Sequence, residues 1–468
     1  MARPGQNPPL KDIERYRQQV LSHSRAGGID PEEVYGYVER LTPNRFPGTA
    51  YGKRGSSPYL QPRGGFPLFS SQQALTRQLD EAGADFIPLT IDSYTRQNQY
   101  DTAAELLRRS EEEEKNYLNG YPLVCHGYEL TRELYRDLEK PVSLRHGTPD
   151  ARLLVEVAIA SGIVEIEGGG ICYCLPYSEG FPLDRSLLYW QYVDRVCAIN
   201  SMPGRPIHRE SFGPLSATLV PPAMVIAIEV LEALLAAEQG VTSFAVSFGQ
   251  TGSIFQDIAT ASVLRALTRE YLDKFGFASM KTFLVYHQWM GQFPPQRDKA
   301  AALIAGSALV ASLIRADKVV VKTVDEALGV PDAEVNAQAV ETVGYLLRVF
   351  SCAEPLTSPL VEREGRLLES EARAVLEVIF GTAGTVFWQS IFRAFQSGHL
   401  DVPFAPHSDN QNKLVSMRDM HGSIRIADPG RVPIADADAA EERRLLAASS
   451  GRADETYRQL LADINMMV

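Results

Sequence analysis

Residues 141–170 read PVSLRHGTPDARLLVEVAIASGIVEIEGGG, a β-rich run, a helical pattern over 150–161 and a second β-rich run ending in an acid and three glycines. Two strands joined by a helix are neighbours in a parallel sheet, because parallel strands need a crossover of about a dozen residues or more. The same alternation extends both ways along the chain. Its β-rich runs are YLQPRGG from 59, ADFIPLTID from 84, YPLVCHG from 121, PVSLRHG from 141, GIVEIEGGG from 162, PIHRESFG from 206, TSFAVSFGQ from 242, KTFLVYHQW from 281 and KVVVKT from 318. Helical patterns over 222–239, 256–275 and 298–315 separate the later runs. Nine runs for eight places predict a (β/α)8 TIM barrel with one false or extra strand. A doubly wound sheet normally opens with a glycine-rich phosphate turn, and no GxGxxG follows any of these runs.

The polar residues favour the barrel more sharply. Arg63 ends the first run, Arg96 lies just beyond the second, Arg145 ends the fourth and Glu167 ends the fifth. Arg209 and Glu210 lie in the sixth, His287 ends the eighth and Lys322 ends the last. In a (β/α)8 barrel all C-terminal strand ends converge on one mouth, where catalytic groups sit, so one pocket is expected to hold most of these charges.

Residues 58–355 are therefore read as the barrel. Residues 1–57 form an N-terminal helical and irregular segment with one helical stretch over 11–23. Residues 356–468 form an α-rich C-terminal extension: long helices, an irregular segment over 401–435 and a charged helix from 436. The 468 residues, 45% hydrophobic and 22% charged, exclude disordered, collagen-like and coiled-coil classes. A net charge of −12 excludes a nucleic-acid footprint. Five cysteines, Cys125, Cys172, Cys174, Cys197 and Cys352, are an odd, sparse set that suits a reducing compartment. No leader peptide follows the first charges, and no unbroken apolar run reaches the ~18–20 residues that cross a bilayer. A cytoplasmic protein without membrane contact is expected.

Three arginines at converging strand ends suit a dicarboxylic acid, since each guanidinium offers a planar fork matched to a carboxylate and keeps its charge. The plainer alternative is that each pairs with a structural acid. Glu167 precedes Gly168, Gly169 and Gly170, where backbone can approach a ligand, and can accept from a substrate ammonium. Tyr173 and Tyr177 supply phenols for a carboxylate, or pack under a loop. Cys172 and Cys174 lack the second ligand pair of a zinc site, so no metal site is assigned. Lys322 is either a Schiff-base lysine or an ion-pair donor with Glu326 one helical turn later. His146, His208 and His287 are acid/base candidates or core residues.

Taken together, TIDSYTRQNQYD, RHGTPDARLL, EGGGICYCLPY, RESFGPLSATLVPP, EALLAAEQGV, YHQWMGQFP and KVVVKTVDEALGVP resemble the catalytic epsilon subunits of glutamate mutase, also called methylaspartate mutase. The resemblance runs from about residue 60 to 430. It implies an adenosylcobalamin-dependent isomerase, with a radical carbon-skeleton rearrangement of L-glutamate to (2S,3S)-3-methylaspartate inside the barrel. It places Arg63, Arg96 and Arg145 on the substrate carboxylates with His146 beside them, Glu167 on the ammonium, and Tyr173 and Tyr177 near a carboxylate. Gly65, Asn119, Pro176, Phe293, Lys322, Glu326 and Val330 fall where the family touches adenosylcobalamin. Cobalt is ligated by a histidine of a small partner subunit carrying a D-x-H-x-x-G motif. Here the nearest match is Asp419, Met420 and His421 with Ile424 in place of the glycine, so a separate cobalamin-binding subunit is expected, with the barrel chain dimerising into a heterotetramer. Cys125, Cys172 and Cys174 depart from the family pattern and are hydrogen donors to a radical if they face inward; Gln250 and Thr251 stand in a loop, SFGQTGS, that is also expected to differ from the family. The competing readings are a related mutase on another amino or dicarboxylic acid, a Schiff-base barrel lyase using Lys322, and a non-catalytic homologue.

Overall fold

Eight of the nine runs form strands: β1 Tyr59–Gln61, β2 Ile87–Thr90, β3 Val142–Arg145, β4 Glu165–Glu167, β5 His208–Glu210, β6 Ser243–Gly249, β7 Lys281–His287 and β8 Lys318–Val320. The structure, a computed structural model, describes residues 4–5, 10, 12–52, 57–215, 219–351, 354–382, 386–447 and 462–467. All strand pairs in the eight-stranded sheet are parallel and follow chain order, with β8 returning to β1. The seam between β1 and β2 is closed by single hydrogen bonds, Asp85 N to Leu60 O at 2.9 Å and Thr90 N to Gly64 O at 2.9 Å. The fold is a (β/α)8 barrel.

The false strand is YPLVCHG. It touches the sheet only through a bridge from Tyr121 to Ile91, then enters the helix Leu123–Leu134. Val124, Tyr128, Thr131 and Leu134 are buried there at helical spacing, a period that continues past Gly127. Gly127, at φ 78°, kinks the helix, and the apolar run before that glycine imitates a strand end.

Helix Pro222–Glu238 is buried along its whole length. One side faces the sheet, and helices Ile254–Lys274 and Pro359–Gly381 cover the rest. A helix apolar all round has to be covered on every face, and the C-terminal segment supplies part of that cover. The stretch 401–435, read as irregular, contains the antiparallel pair β9 Val415–Arg418 and β10 Ile424–Asp428. Its turn is built on Asp419, whose Oδ1 accepts from His421 N at 2.8 Å and Ser423 N at 3.0 Å. The N-terminal segment holds two longer helices rather than one, Ile13–Leu21 and Pro31–Arg40. Arg17 pins the first to the barrel through a buried pair with Glu156 at 2.8 Å. No helix among the described residues is long and apolar enough to cross a membrane.

Asp257 marks a pH dependence of this packing. Its Oδ1 accepts from Thr251 N at 2.8 Å, yet burial pushes its carboxyl up to about 7. The native state then holds this proton more tightly than the unfolded chain, so the contribution is full below about pH 4 and is lost as pH rises through about 7. Asp257→Asn is expected to flatten the fall in urea midpoint between pH 5 and pH 8, by the equivalent of about 1–2 kcal/mol. Parallel curves for the two proteins would assign the slope to other groups.

Candidate active site

Strand parity sorts the charges at the barrel mouth. Side chains two apart on a strand share a face, so Glu165 and Glu167 of β4 both enter the barrel, as does Glu210 of β5. Arg209, between His208 and Glu210, turns outward instead. It pairs with Asp194 on helix Leu183–Ile199 at 2.7 Å and donates to Gly168 O at 2.8 Å. Arg209 therefore does not join the pocket. His208 lies in the barrel floor against Ser243, 2.8 Å away, beside Tyr51 and Phe283.

Arg145, 4% exposed, donates to Glu167 and lies 3.5 Å from Glu210. Burial opposes its charge, but the carboxylates of Glu167 and Glu210 outweigh burial and raise its pKa. Glu167 also accepts from the Tyr173 hydroxyl. Burial, with Glu210 nearby, raises the Glu167 carboxyl above its ordinary range although Arg145 opposes this. His146 stacks on Trp190 and meets Tyr173 edge-on at 4.8 Å, and its Nδ1 accepts from Thr148 N at 3.2 Å. Burial, then the charges of Arg96 and Arg209, hold it well below the usual histidine range, so it is a neutral brace behind Tyr173.

Arg63 and Arg96 are different. Arg63 makes no hydrogen bond or ion pair with a described residue, although its charge acts on Arg96, Tyr177, Lys322 and Glu326. Arg96 ends the one-turn helix Ser93–Arg96, which Asp92 caps by accepting from Tyr94 N and Thr95 N. Its Nε donates to Ile91 O at 2.6 Å, and among the described residues its terminal nitrogens meet no carboxylate. Among the described residues, Arg145 alone of the three arginines is paired with carboxylates. Tyr177, 38% exposed, lies at the mouth with its ring 5.7 Å from Tyr173 and 5.9 Å from Phe212.

The glycines after Glu167 serve packing rather than ligand approach. A Cβ on Gly168 would lie 2.3 Å from the Tyr173 ring, and one on Gly169 would lie 2.3 Å from the Glu232 carboxylate. The space beside each glycine is filled by the protein itself.

On the opposite side of the mouth, Lys322 Nζ reaches Glu326 at 2.6 Å and sits 5.8 Å from the Phe293 ring. Burial and then Arg63 pull its amine down to about 8, despite Glu326. Gly65 abuts β2, where a Cβ would lie 2.2 Å from Thr90 O. Asn119 accepts from Ser93 N at 2.9 Å and so steadies the turn carrying Arg96. Pro176 is half-buried between the two tyrosines in sequence, and Val330 is 65% exposed beyond Glu326. Among the described residues, neither Val330 nor Asn119 forms a hydrogen bond or ion pair with another candidate residue.

Cys125, Cys172 and Cys174 are spoken for. Their sulfurs lie 3.5 Å from Tyr100 O, 3.4 Å from Phe212 N and 3.5 Å from Phe181 O respectively, and burial raises each thiol pKa. Cys352 lies outside the described residues.

Below the arginines is a charged layer that sequence reading missed. Lys318, fully buried at the start of β8, contacts Glu165, Glu210 and Gln61. Its only sequence signal is a lysine opening a run of valines. Higher up, Glu167, Glu210 and His287 bring ligand atoms within 4.8 Å of one another.

Residues 50–468 match the sequence model of the methylaspartate mutase E chain (MutE). The chain is 38% identical over 462 residues to the glutamate mutase epsilon subunit of Desulfitobacterium hafniense (strain Y51), covering 97% of this chain and 95% of that one. It is 42% identical over 374 residues to the glutamate mutase epsilon subunit of Yersinia enterocolitica serotype O:8, covering 80% and 78%. It is 40% identical over 439 residues to that of Halobacterium salinarum, covering 93% and 90%.

Proposed function

Since the chain belongs to the methylaspartate mutase E-chain family, we propose that it is the catalytic subunit of a coenzyme B12-dependent glutamate mutase, an isomerase interconverting L-glutamate and (2S,3S)-3-methylaspartate. The observation that carries this reading is the division among the arginines. Among the described residues, Arg63 and Arg96 stand without carboxylate partners beside an Arg145 held by Glu167 and Glu210. Two unneutralised guanidiniums suit two carboxylates, and a buried acid beside them suits an ammonium.

The mouth fits adenosylcobalamin through the Lys322–Glu326 pair, which can both donate to and accept from ribose hydroxyls, with Phe293 beneath it. Leu328 and Val330, 60% and 65% exposed on the same loop, offer apolar surface that a large ring system would cover. When bound, adenosylcobalamin supplies the carbon radical that starts a skeletal rearrangement. The chain's own residues do the holding. Arg63, Arg96 and Arg145 fix the carboxylates, Tyr177 closes over them, and Glu167, oriented by Tyr173, holds the amino group. Fixing both ends matters because a rearranging skeleton has to stay registered while its bonds change, and the buried walls exclude water and scavengers. No acid/base pair is needed, in keeping with neutral His146.

The cobalt ligand is assigned to a small cobalamin-binding partner with a D-x-H-x-x-G motif, in a heterotetramer built on a dimer of this chain in the cytoplasm. The Asp419–His421 segment does not serve, since Asp419 is committed to its own turn and to Arg425 at 2.8 Å. The depressed Lys322 amine also suits a Schiff-base lyase, but its 2.6 Å contact with Glu326 commits it to an ion pair.

The test is an anaerobic assay of the chain with adenosylcobalamin, a candidate partner subunit and L-glutamate, with 3-methylaspartate detected by coupled deamination to mesaconate. Product that needs both proteins and the cofactor is expected. A cob(II)alamin signal triggered only by another amino acid would keep the radical chemistry and discard glutamate.

A further inference from the structure

We propose that Glu167, Glu210 and His287 form a three-acceptor cradle for the ammonium group of the substrate, an inference that rests on the mutase reading and extends it to the residues that select an amino acid. The three side chains come from the ends of β4, β5 and β7 and place a carboxylate oxygen, a second carboxylate oxygen and a ring nitrogen within 4.8 Å of one another. A primary ammonium donates three hydrogen bonds in a tetrahedral arrangement, and bonds of about 2.8 Å put its acceptors about 4.6 Å apart. The spacing therefore suits one –NH3+ group seated between them.

His287 supplies the independent evidence for a ligand. It is fully buried, and neither ring nitrogen has a hydrogen-bond partner among the described residues. Burying such a group without a partner is costly, and an imidazole edge-on to Phe212 at 5.4 Å gains nothing polar from that side. Burial and the charges of Arg145, Arg63, Lys318 and Lys322 hold it well below the usual histidine range, so it is neutral and keeps one lone pair free to accept.

Charge balance points the same way. Three interior carboxylates, Glu165, Glu167 and Glu210, face two interior cations, Arg145 and Lys318. With all three acids ionised the layer lacks one positive charge, which an ammonium would bring. A divalent cation matches less well, because it would have to draw both carboxylates away from Arg145 and Lys318, whereas an ammonium uses the lone pairs each carboxylate retains.

The experiment is calorimetric titration of the full chain, assembled with the cobalamin-binding partner, using L-glutamate and glutarate, which keeps both carboxylates and lacks the amino group. Wild type is expected to prefer glutamate by tenfold or more, a preference His287→Phe reduces by about tenfold while leaving glutarate affinity unchanged. His287→Gln, which restores an acceptor, is expected to recover part of it. Equal weakening of both ligands in His287→Phe would make His287 structural and overturn the cradle, as would an unchanged preference. Glutamate binding that EDTA abolishes and Zn2+ restores would make the triad a metal site and also overturn it. If wild type binds neither ligand and forms no methylaspartate, the mutase reading itself fails and takes the cradle with it.

Discussion

Arg145→Lys is expected to fold as the parent does and to lose about a hundredfold or more in kcat/KM for L-glutamate. The reason lies in what Arg145 does at once. It holds Glu167, lies 3.5 Å from Glu210, and ends β3 at the barrel mouth, where the proposed function puts a substrate carboxylate. A guanidinium spreads five donors over a rigid plane and serves several acceptors in fixed directions, whereas an ammonium is a compact point charge on a flexible stem. Lysine keeps the buried carboxylates compensated, so the melting temperature should move by only a few degrees. It cannot satisfy Glu167 and orient a substrate carboxylate together. The measurement is the mesaconate-coupled rate beside a thermal melt of the same preparation. Unchanged turnover would remove Arg145 from the substrate site, and loss of the cooperative melt would show that its role is to hold the barrel together.

How far such a site can be read from sequence depends on whether its residues announce themselves locally. The arginines do, because Arg63, Arg96 and Arg145 each sit where a β-rich run gives way to a loop, and barrel topology brings those positions to one mouth. What each arginine meets there is not local. Arg145 is neutralised by acids 22 and 65 residues away while, among the described residues, Arg63 and Arg96 meet no acid, and no spacing in the chain distinguishes them. Parity is similarly hidden. Arg209 and Glu210 are neighbours in sequence and face opposite sides of the wall, one toward Asp194 and one toward Lys318, and a three-residue strand is too short to show its period. The run after Glu167 misleads for a related reason, since a glycine forced by Tyr173 and Glu232 packing looks the same in sequence as one that admits a ligand. Gly127 misleads in the opposite direction, splitting a helical period so that its first turn passes for a strand.

Lys318→Met is the substitution expected to cost the most stability, about 3–5 kcal/mol near neutral pH, because it strands two buried carboxylates. Lys318 is fully buried and is the cation shared by Glu165 and Glu210. Burial, with the charge of Glu210, already raises the Glu165 carboxyl above its ordinary range even though Lys318 opposes this. Without the lysine that opposition disappears and the pKa rises further. An acid whose pKa is raised by folding contributes its stability at low pH and loses it as pH rises through the folded-state value. The loss in Lys318→Met should therefore be largest at pH 8 and shrink toward pH 5, where Glu165 takes up a proton and becomes a donor. Adding Glu165→Gln should recover much of the deficit and remove most of its pH dependence, since the amide keeps the shape without the charge. Urea unfolding of the single and double variants at the two pH values decides the matter. A deficit below about 1 kcal/mol that ignores pH would mean that water or backbone, and not Lys318, compensates these acids. If the dependence appears as expected, the charged layer under the barrel mouth is held by one lysine, and Glu210, freed of it, would be drawn toward Arg145 in the pocket above.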